Sequence, residues 1–414
     1  MLVPPLLRDS PTFRRYWLGQ AVSLVGDQVT LIALPLVAVL VLDANAAQMG
    51  YLVAAELLPN LLFSLHAGAW ADRRARKRKI MIGTDIGRAL LIASIPVAYA
   101  FDALTFPHMV VVGFLMGTLT VLFHVAHSAF YPAIVPRERL IEGGSITHGS
   151  RALSYVVGPS IGGVLVQAVS APVTLVLDAC TYVVSALVLR TLDVEEPAAE
   201  SAAKGHVVAG VRWVFGNPII RAALGATATI NFFNFIFAAL FILYATKELG
   251  VGPATLGLVL GAAAVGGILG AIVTSRVARR IGIGRAFALG CVLFPAPLLL
   301  VPLAEGPDWV VLACLFLAEF GCGFGVMMLD ISAGAITAAV VPERLRSRVS
   351  GAYMLVNYGV RPVGALVGGA LGTAIGLRET LWIATVGALL GVLWLLPSPI
   401  LGLRELPEPE PALD

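Results

Sequence analysis

Charged residues are scarce in this sequence: they make up 13% of its 414 residues, whereas hydrophobic residues make up 58%. The mean hydropathy of +0.89 lies well above that of soluble globular domains, which need a polar, solvated surface. The chain therefore needs lipid as its solvent. Its net charge of +3 is too small to indicate a nucleic-acid-binding protein.

The usual motifs of catalysis and metal binding are absent as well. No GxxxxGKS/T loop is present, which argues against ATP as the direct energy source. Without an HExxH motif or clustered cysteine and histidine residues, a membrane hydrolase has no visible catalytic groups. The four cysteines lie in apolar segments without CxxC spacing, which favours buried small side chains: Cys180, Cys291, Cys314 and Cys322. We expect no enzyme, no metal site and no cofactor.

The apolar residues occur in blocks of about 20, the length of a helix that crosses roughly 30 Å of hydrocarbon. Glycine and proline inside the blocks favour helices packed through small residues over porin-like strands. The pattern predicts an all-α integral membrane protein with twelve transmembrane helices. They are expected near residues 16–42, 48–70, 79–101, 107–131, 148–170, 172–192, 219–246, 253–275, 283–303, 308–333, 350–376 and 378–397.

One long polar interruption, residues 193–218, divides these spans into two groups of six. We predict an N-terminal six-helix bundle over residues 1–192, a cytoplasmic linker over 193–218 and a C-terminal six-helix bundle over 219–397. The acidic, proline-rich residues 398–414 predict a disordered cytoplasmic tail.

Positive charge is distributed unevenly between the loops. If both termini are cytoplasmic, the outer loops carry only Lys247 and Arg378 among the 28 lysine and arginine residues. This asymmetry predicts a multi-pass protein of the cytoplasmic membrane with both termini inside the cell. No small-residue cleavage site precedes the first long apolar block, so we expect the N-terminus to be a mature cytoplasmic end.

The two halves share a pattern of residues. A glycine, a polar residue and a proline recur with identical separations: Gly117, His124 and Pro136, and Gly323, Asp330 and Pro342. A glycine-rich segment follows in each half, GPSIGGVL and GALVGGAL. A parallel duplication of six helices is the repeat pattern of a large transporter fold, so the two bundles are predicted to be pseudo-symmetric.

The loop between the second and third spans reads GAWADRRARK. It matches a pattern of Gly, three residues, Asp-Arg, one residue, Gly, Arg and Lys or Arg. The matching residues are Gly68, Asp72, Arg73, Arg76 and Lys77, with Ala75 in place of the second glycine. Over about residues 16–397 the chain resembles the major facilitator superfamily.

This resemblance implies a role for the loop. It implies that the Asp72 carboxylate accepts hydrogen bonds from the positive start of helix eleven and so forms a cytoplasmic latch between the halves. Arg73, Arg76 and Lys77 can bind carboxylates or the phosphates of membrane lipids. The alternative is that the basic residues only fix the topology.

A second motif, GPSIGG, lies in the fifth span and resembles the core of the antiporter signature of drug exporters. It comprises Gly158, Pro159, Gly162 and Gly163. The glycines allow another helix to approach closely, and the proline bends its helix. In antiporters this motif is taken to seal the inward leak; generic tight packing is the alternative. The fourth span has no arginine and offers His124 and His127 instead.

Further segments resemble one branch of the family. FRRYWLGQAVSLVGDQ, ELLPNLLFSLHAGAWADR and DIGRALL are similar to segments of the bacterial exporters related to macrolide-efflux and enterobactin-export proteins. This resemblance implies outward movement of amphipathic small molecules.

Ionisable residues within the spans are candidates for function, because each costs roughly 2.5–3.5 kcal/mol on insertion. Asp27 and Glu56 lie near the middle of the first two spans without a cation nearby in sequence. Such carboxylates suit proton coupling; a structural hydrogen bond is the alternative. Asp178 and Asp330 lie near span ends, where we expect water to reach them.

Two charge pairs are predicted. Glu319 and Arg361 fall near mid-membrane, where a pair can form a gate, a substrate contact or a static strut. Asp85 and Arg88 lie one turn apart in the third span, and we expect a local structural pair.

The seventh span reads TINFFNFIFAALF and interleaves amides with aromatic side chains. The residues are Asn231, Phe232, Asn234 and Phe235, which suit a pocket for amphipathic ligands. An aromatic face toward lipid explains them equally well.

Taken together, these features predict a secondary active transporter that exports small amphipathic molecules, resembling drugs, macrolides or siderophores, by alternating access. Its partners are protons, a small-molecule substrate and membrane lipid; we expect a monomer, no nucleic acid and the proton gradient as energy source. The alternatives are an uptake facilitator or a lipid-translocating transporter of the same fold, and a membrane sensor without transport.

Overall fold

The computed structural model describes residues 4–72, 76–194, 207–342 and 345–405, and only the backbone of residues 65–72, 207–211 and Ser347. Regular structure in these ranges is helical throughout. The α-helices are α1 Pro5–Asp9, α2 Pro11–Leu40, α3 Ala46–Asp72, α4 Lys77–Ala100, α5 Phe106–Ile134, α6 Leu140–Val169, α7 Ala171–Thr191, α8 Val207–Gly216, α9 Pro218–Lys247, α10 Pro253–Ile281, α11 Ile283–Leu293, α12 Asp308–Val340, α13 Arg346–Ile375 and α14 Leu377–Leu389.

A helical segment stands at each of the twelve predicted positions. Within the described residues, ten of these segments are long and apolar enough to cross a membrane. The other two, α3 and α13, are 27 and 30 residues long. The predicted all-α membrane protein is therefore confirmed.

Local chemistry determines where two long helices begin. Ser10 precedes Pro11 and accepts a hydrogen bond from the backbone N–H of Phe13 at 3.2 Å. Asn217 precedes Pro218 and accepts from the N–H groups of Ile219 and Ile220. A capping side chain followed by proline satisfies free N–H groups and preorganises the first turn. As a result α2 begins at Pro11, earlier than the predicted residue 16.

The ninth and twelfth predicted spans are not continuous α-helices. After α11 ends at Leu293, a 3-10 helix follows at Ala296–Leu300. Pro295 and Pro297 supply no N–H to continue the α-helical pattern there. In the twelfth span, α14 ends at Leu389 and continues as a 3-10 helix over Leu390–Leu395.

The C-terminal segment corrects one prediction. Pro399–Gly402 forms a 3-10 turn in which Ile400 is fully buried. The N–H of Gly284 donates to the carbonyl oxygen of Leu403 at 3.0 Å, which joins this segment to α11. The predicted disorder is therefore wrong for residues 398–405, and residues 406–414 lie outside the described ranges.

The described residues form two compact units. The first comprises the described residues of Met1–Ala44, Ala55–Ala203 and Val251–Gly261; the second comprises those of Asn45–Ala54, Lys204–Gly250 and Ala262–Asp414. The predicted domain boundaries at 192 and 219 remain predictions, and α8 lies within the predicted linker.

Each unit has its own apolar core. The core of the first includes Phe13, Tyr16 and Phe130, and the core of the second includes Phe287 and Ile336. Large apolar side chains also lie on the outside of the helices, for example along α7: Val173, Val176, Leu177, Val183, Val184 and Leu187. An apolar outer face of this kind suits lipid rather than water.

Candidate functional site

Polar side chains of α2 and α7 meet in the first unit and form what we call the α2–α7 seam. The seam consists of Gln20, Asp27 and Thr30 from α2, and Asp178, Thr181, Tyr182 and Ser185 from α7. On each helix these residues follow helical spacing, so they share one face. The amide of Gln20 donates to the hydroxyl of Ser185 at 3.2 Å, and the hydroxyl of Thr30 donates to the Asp178 carboxylate.

Asp27 lies where the seam borders a small cavity of about 30 Å³. Its Oδ1 accepts a hydrogen bond from the hydroxyl of Tyr182 at 2.6 Å. The residues that line the cavity are Gln20, Ser23, Leu24, Asp27, Arg88, Phe123, His124, His127 and Arg151. Asp27 supplies the one carboxylate among these lining residues, beside the cations Arg88 and Arg151.

Arg88 and Asp85 form the predicted local pair on α4. An Nη2–H of Arg88 donates to Oδ1 of Asp85, and their side chains are 3% and 0% exposed. Ser185 of the α2–α7 seam lies near the Asp85 carboxylate, whose Oδ2 has no hydrogen-bond partner in the described residues. The pair is buried and ionic, and it interacts electrostatically with Asp27.

The Arg88 guanidinium is also held by two aromatic rings. Its central carbon lies 4.4 Å from the ring centroid of Phe123 and 4.4 Å from that of Tyr182. Aromatic faces stabilise a desolvated guanidinium through cation–π attraction. Tyr182 therefore contacts Arg88 with its ring and Asp27 with its hydroxyl group.

Asp178 of α7 is buried, contrary to the expectation from the sequence. We expected water to reach it, but its side chain is 0% exposed. Its carboxylate oxygens accept hydrogen bonds from the hydroxyls of Thr30 and Thr181. Gly26 of α2 has no Cβ, and the space that a Cβ would occupy holds the side chains of Asp178 and Thr181.

A sequence signal for this burial exists. The polar residues of the sixth span recur at intervals of four, three and four positions: Thr174, Asp178, Thr181 and Ser185. This is the spacing of a single helical face. The same periodicity is present in the first span at Gln20, Asp27 and Thr30, so a search for facing polar stripes would have identified the seam.

The two histidines of the fourth span differ in their contacts. The hydroxyl of Tyr16 and Nε2 of His127 form a hydrogen bond, and the ring of His127 stacks on Phe123 with centroids 6.0 Å apart. His127 is thereby fixed at the cavity wall. His124 lines the same cavity.

Glu56, the second proton-coupling candidate, lies on α3 and is partly exposed. Its backbone carbonyl oxygen packs against Gly117 of α5, 2.5 Å from where a Cβ would lie. No described hydrogen bond joins its side chain to the seam. The structure therefore does not bring Glu56 and Asp27 into one hydrogen-bonded group.

The antiporter-type motif lies where α6 crosses other helices of the first unit. A Cβ on Gly158 would meet the Cγ of Gln28 at 3.1 Å, and one on Gly162 would meet the Cα of Val29 at 3.1 Å. A Cβ on Gly163 would lie 3.0 Å from the Cα of Gly257 on α10. Pro159 lies within the helix between these crossings. The predicted close packing is present, and the sealing role stays a prediction.

In the second unit the predicted pair of Glu319 and Arg361 is not formed, because neither residue makes an ion pair with the other in the described ranges. The Arg361 guanidinium lies 4.2 Å from the ring centroid of Tyr358 and 5.1 Å from that of Phe235. Glu319 is 8% exposed on α12. α13 packs mainly against α9 and α12 mainly against α11, and the α12 carboxylate that interacts electrostatically with Arg361 is Asp330.

The seventh-span candidates are partly engaged in helix packing. The Asn231 amide donates to the Thr227 carbonyl at 2.9 Å and to Oδ1 of Asn357 at 3.1 Å, which ties α9 to α13. Phe232 and Phe233 pack edge to face with centroids 5.1 Å apart, and Phe235 contacts Arg361. Asn234 is partly exposed. The pocket role stays a prediction.

Much of the 2–3 loop motif lies outside the described residues. Only the backbone of Gly68 and Asp72 is described, and Arg73 lies outside the described residues, so the predicted latch is untested. Arg76 is exposed at the N-terminal end of α4. Lys77 is only 3% exposed, which does not suit a contact with lipid phosphates.

Three known proteins are similar to this chain over most of their length. The multidrug efflux pump Tap of Mycolicibacterium fortuitum is 28% identical over 379 residues, which cover 86% of this chain and 88% of that protein. Tap of Mycobacterium tuberculosis H37Rv is 28% identical over 377 residues, covering 86% and 85%. The enterobactin exporter EntS of Citrobacter koseri is 24% identical over 429 residues, covering 99% and 96%.

Solved structures share the fold. The nucleoside transporter NupG superposes with a TM-score of 0.75 at 11% identity, covering 92% of this chain and 98% of that one. A bacterial homologue of the iron transporter ferroportin gives 0.72 at 16% identity, covering 95% and 98%. At such identities the likeness concerns the fold alone.

A sequence profile described as Major Facilitator Superfamily matches residues 16–364. The match confirms the resemblance inferred from the 2–3 loop and the twelve-span layout. The chain therefore belongs to the major facilitator superfamily.

Proposed function

We propose that this protein is a proton-coupled exporter of small amphipathic molecules in the cytoplasmic membrane, with both termini inside the cell. Its membership of a transporter family and its similarity to proteins named multidrug efflux pump and enterobactin exporter support export. The observation that carries the coupling is the position of Asp27, which supplies the carboxylate of the cavity lining.

Protonation of Asp27 changes the cavity charge by one unit. Arg88 is already bound by Asp85, so the charge of Asp27 is not cancelled by a direct ion pair in the described residues. A ligand shifts a conformational equilibrium only through different affinity for its states. A proton on Asp27 and a substrate bound in a state that opens the space beside it therefore affect each other's binding, and alternating access of the two six-helix halves converts this linkage into exchange.

The test uses the purified full-length protein in proteoliposomes with an acidic lumen. Ethidium and a radiolabelled macrolide serve as probes. We expect probe to accumulate in the lumen only while the pH gradient lasts, and collapse of the gradient with nigericin to abolish the accumulation. Asp27→Asn is expected to abolish gradient-driven accumulation, whereas Asp308→Asn, a change at an exposed carboxylate at the start of α12, is expected to preserve it.

Other results would point to other functions. Flux of equal size with and without the gradient indicates a facilitator. Probe binding without flux indicates a sensor. Gradient-dependent accumulation that persists in Asp27→Asn contradicts the role assigned to Asp27.

A further inference from the structure

Asp178 is a fully buried carboxylate for which the proposed function gives no role. It lies in the α2–α7 seam, is 0% exposed and does not line the cavity. Its oxygens accept hydrogen bonds from two hydroxyl groups, those of Thr30 and Thr181. No ion pair to Asp178 is present in the described part of the chain. A buried carboxylate that has only neutral donors is costly to keep ionised.

The charges around Asp178 show a deficit of cations. The titratable groups that interact with it are Asp27 on α2, Arg88 on α4 and Tyr182 on its own helix. Asp85 is bound to Arg88, and His124 of α5 and Arg151 of α6 lie at the cavity end. The Arg88 guanidinium is bound to Asp85, and the second arginine, Arg151, lines the cavity together with Asp27. Of the two remaining acids, Asp27 and Asp178, it is Asp178 that lies away from the cavity arginines and has no ion pair in the described residues, which favours a bound proton on it.

The two remaining acids lie about one helical turn apart along the seam. Asp27 precedes Thr30 by three residues on α2, and Asp178 precedes Tyr182 by four residues on α7. Thr30 binds Asp178, and Tyr182 binds Asp27. Three to four residues of helix correspond to a rise of roughly 4.5–6 Å. The seam therefore places Asp178, which is shielded from solvent, next to Asp27, which borders the cavity.

We propose that Asp178 holds a proton inside the α2–α7 seam and exchanges it with Asp27, so that the two carboxylates form a relay. This inference rests on the proposed proton coupling. In the transfer, the O–H bond at Asp178 breaks and an O–H bond forms at Asp27. The negative charge moves from Asp27 to Asp178, and the total charge is unchanged.

The surroundings of Asp178 suit both protonation states. A hydroxyl group donates one hydrogen bond and accepts others, and its hydrogen can rotate. The hydroxyls of Thr30 and Thr181 can therefore donate to the ionised carboxylate, and one of them can accept from the protonated acid. Gly26 keeps α2 and α7 close enough for these contacts, because a side chain there would occupy the space of Asp178 and Thr181.

The first test detects the proton directly and needs no transport substrate. Infrared spectra of the purified full-length protein at neutral pH are expected to show the C=O stretch of a protonated carboxyl group. Asp178→Asn should remove this band, whereas Asp308→Asn should keep it. Thr181→Val keeps the acid but removes a hydrogen bond, so it should shift the band and serve as a check if Asp178→Asn folds poorly. A band that persists unchanged in Asp178→Asn, or that Thr181→Val does not move, overturns the proposal.

The second test concerns the relay. After transfer into deuterated water, the infrared band of Asp178 shifts as deuterium replaces its proton. In the proposed relay this exchange with solvent passes through Asp27. We expect Asp27→Asn to slow this replacement at least tenfold, while Asp308→Asn leaves its rate unchanged. Equal rates in wild type and Asp27→Asn overturn the relay.

The two proposals can fail separately. If the infrared results hold but no gradient drives transport, proton-coupled export is refuted and the buried proton site remains. If transport follows the gradient but the band does not depend on Asp178, the relay is refuted and proton-coupled export remains.

Discussion

The hydroxyl group of Tyr182 and the carboxylate of Asp27 form a 2.6 Å hydrogen bond that joins α7 to α2. The ring of the same tyrosine lies 4.4 Å from the Arg88 guanidinium. Tyr182 thus positions the proposed proton carrier relative to the buried cation. Neither contact could be assigned from the sequence, because the three residues belong to three different helices.

Tyr182→Phe keeps the ring on Arg88 and removes the hydrogen bond to Asp27. A hydrogen bond to a charged group contributes about 1.5–3 kcal/mol, so we expect gradient-driven transport to fall about tenfold or more. The measurement is the initial rate in proteoliposomes. Tyr99→Phe, at an exposed tyrosine of α4, is the matched control. An equal loss in both variants would show that the effect does not come from the Asp27 contact.

Removal of one partner of the buried Asp85–Arg88 pair should lower the stability of the protein far more than disruption of a surface pair. Arg88→Ala leaves a buried, uncompensated carboxylate, and we expect a loss of about 3–5 kcal/mol in stability. Arg378→Ala breaks its exposed pair with Glu305, for which about 0–1 kcal/mol is expected. Thermal unfolding of the purified protein measures both.

A double change provides the companion experiment. Asp85→Leu combined with Arg88→Met replaces the pair by apolar groups and should recover much of the lost stability. Transport should remain low, because Tyr182 and Asp27 lose their neighbouring cation. Recovery of transport along with stability would contradict a functional role of Arg88.

Gly158 is expected to be intolerant of a side chain because of its contact with Gln28 of α2. Gly158→Leu forces α6 away from α2, and overpacking of this kind costs about 1–3 kcal/mol. Gly149 lies on the same helix with no atom within 4 Å of a built Cβ, so Gly149→Leu should be tolerated. Folded yield and melting temperature measure the difference, and similar losses in both variants would argue against a specific crossing at Gly158.

Glu319 and Arg361 should behave as independent residues. Since no ion pair joins them in the described ranges, a double-mutant cycle of Glu319→Gln and Arg361→Gln should give a coupling energy within about 0.5 kcal/mol of zero. The same cycle on Asp85 and Arg88 provides the positive control. A large coupling between Glu319 and Arg361 would restore the predicted central pair.

A surface contact outside the membrane spans should depend on pH. Hydrogen bonds from Arg8, and next from Arg139, lower the pKa of Asp9 below its usual value. A lowered folded-state pKa stabilises the protein above the unfolded pKa of about 3.9, and the stabilisation is lost as the pH falls through the folded pKa.

Asp9→Asn should therefore lower the melting temperature at neutral pH, and the difference from wild type should vanish in strong acid. Glu138→Gln, an exposed change in the adjacent 3-10 turn, is the control. A difference that grows as the pH falls would contradict the assigned cause.

The fold was largely predictable because hydrophobic blocks of membrane length leave few structural choices. The Asp85–Arg88 contact was predictable because residues three apart on a helix are neighbours on its surface, whatever that helix packs against. The helix ends were less predictable, since they depend on caps such as Ser10 and on the positions of prolines such as Pro295.

Contacts between helices were harder to predict. To predict whether Glu319 pairs with Arg361, one must know which helices are neighbours. The depth of each residue along its span does not give that information. The burial of Asp178 depends on α2 facing α7 and on the absence of a side chain at Gly26. The position of Asp178 near the end of its span suggested that water reaches it, whereas the packing of α2 against α7 excludes water from it.

The short 3-10 turn at Pro399–Gly402 bears on how this protein should be handled in the laboratory. Ile400 is fully buried in the core of the second unit, and Leu403 accepts a hydrogen bond from Gly284. A chain cut after the twelfth span would therefore lose part of that core, although the missing residues look dispensable in the sequence. Purification tags and reporter fusions should be attached beyond residue 405.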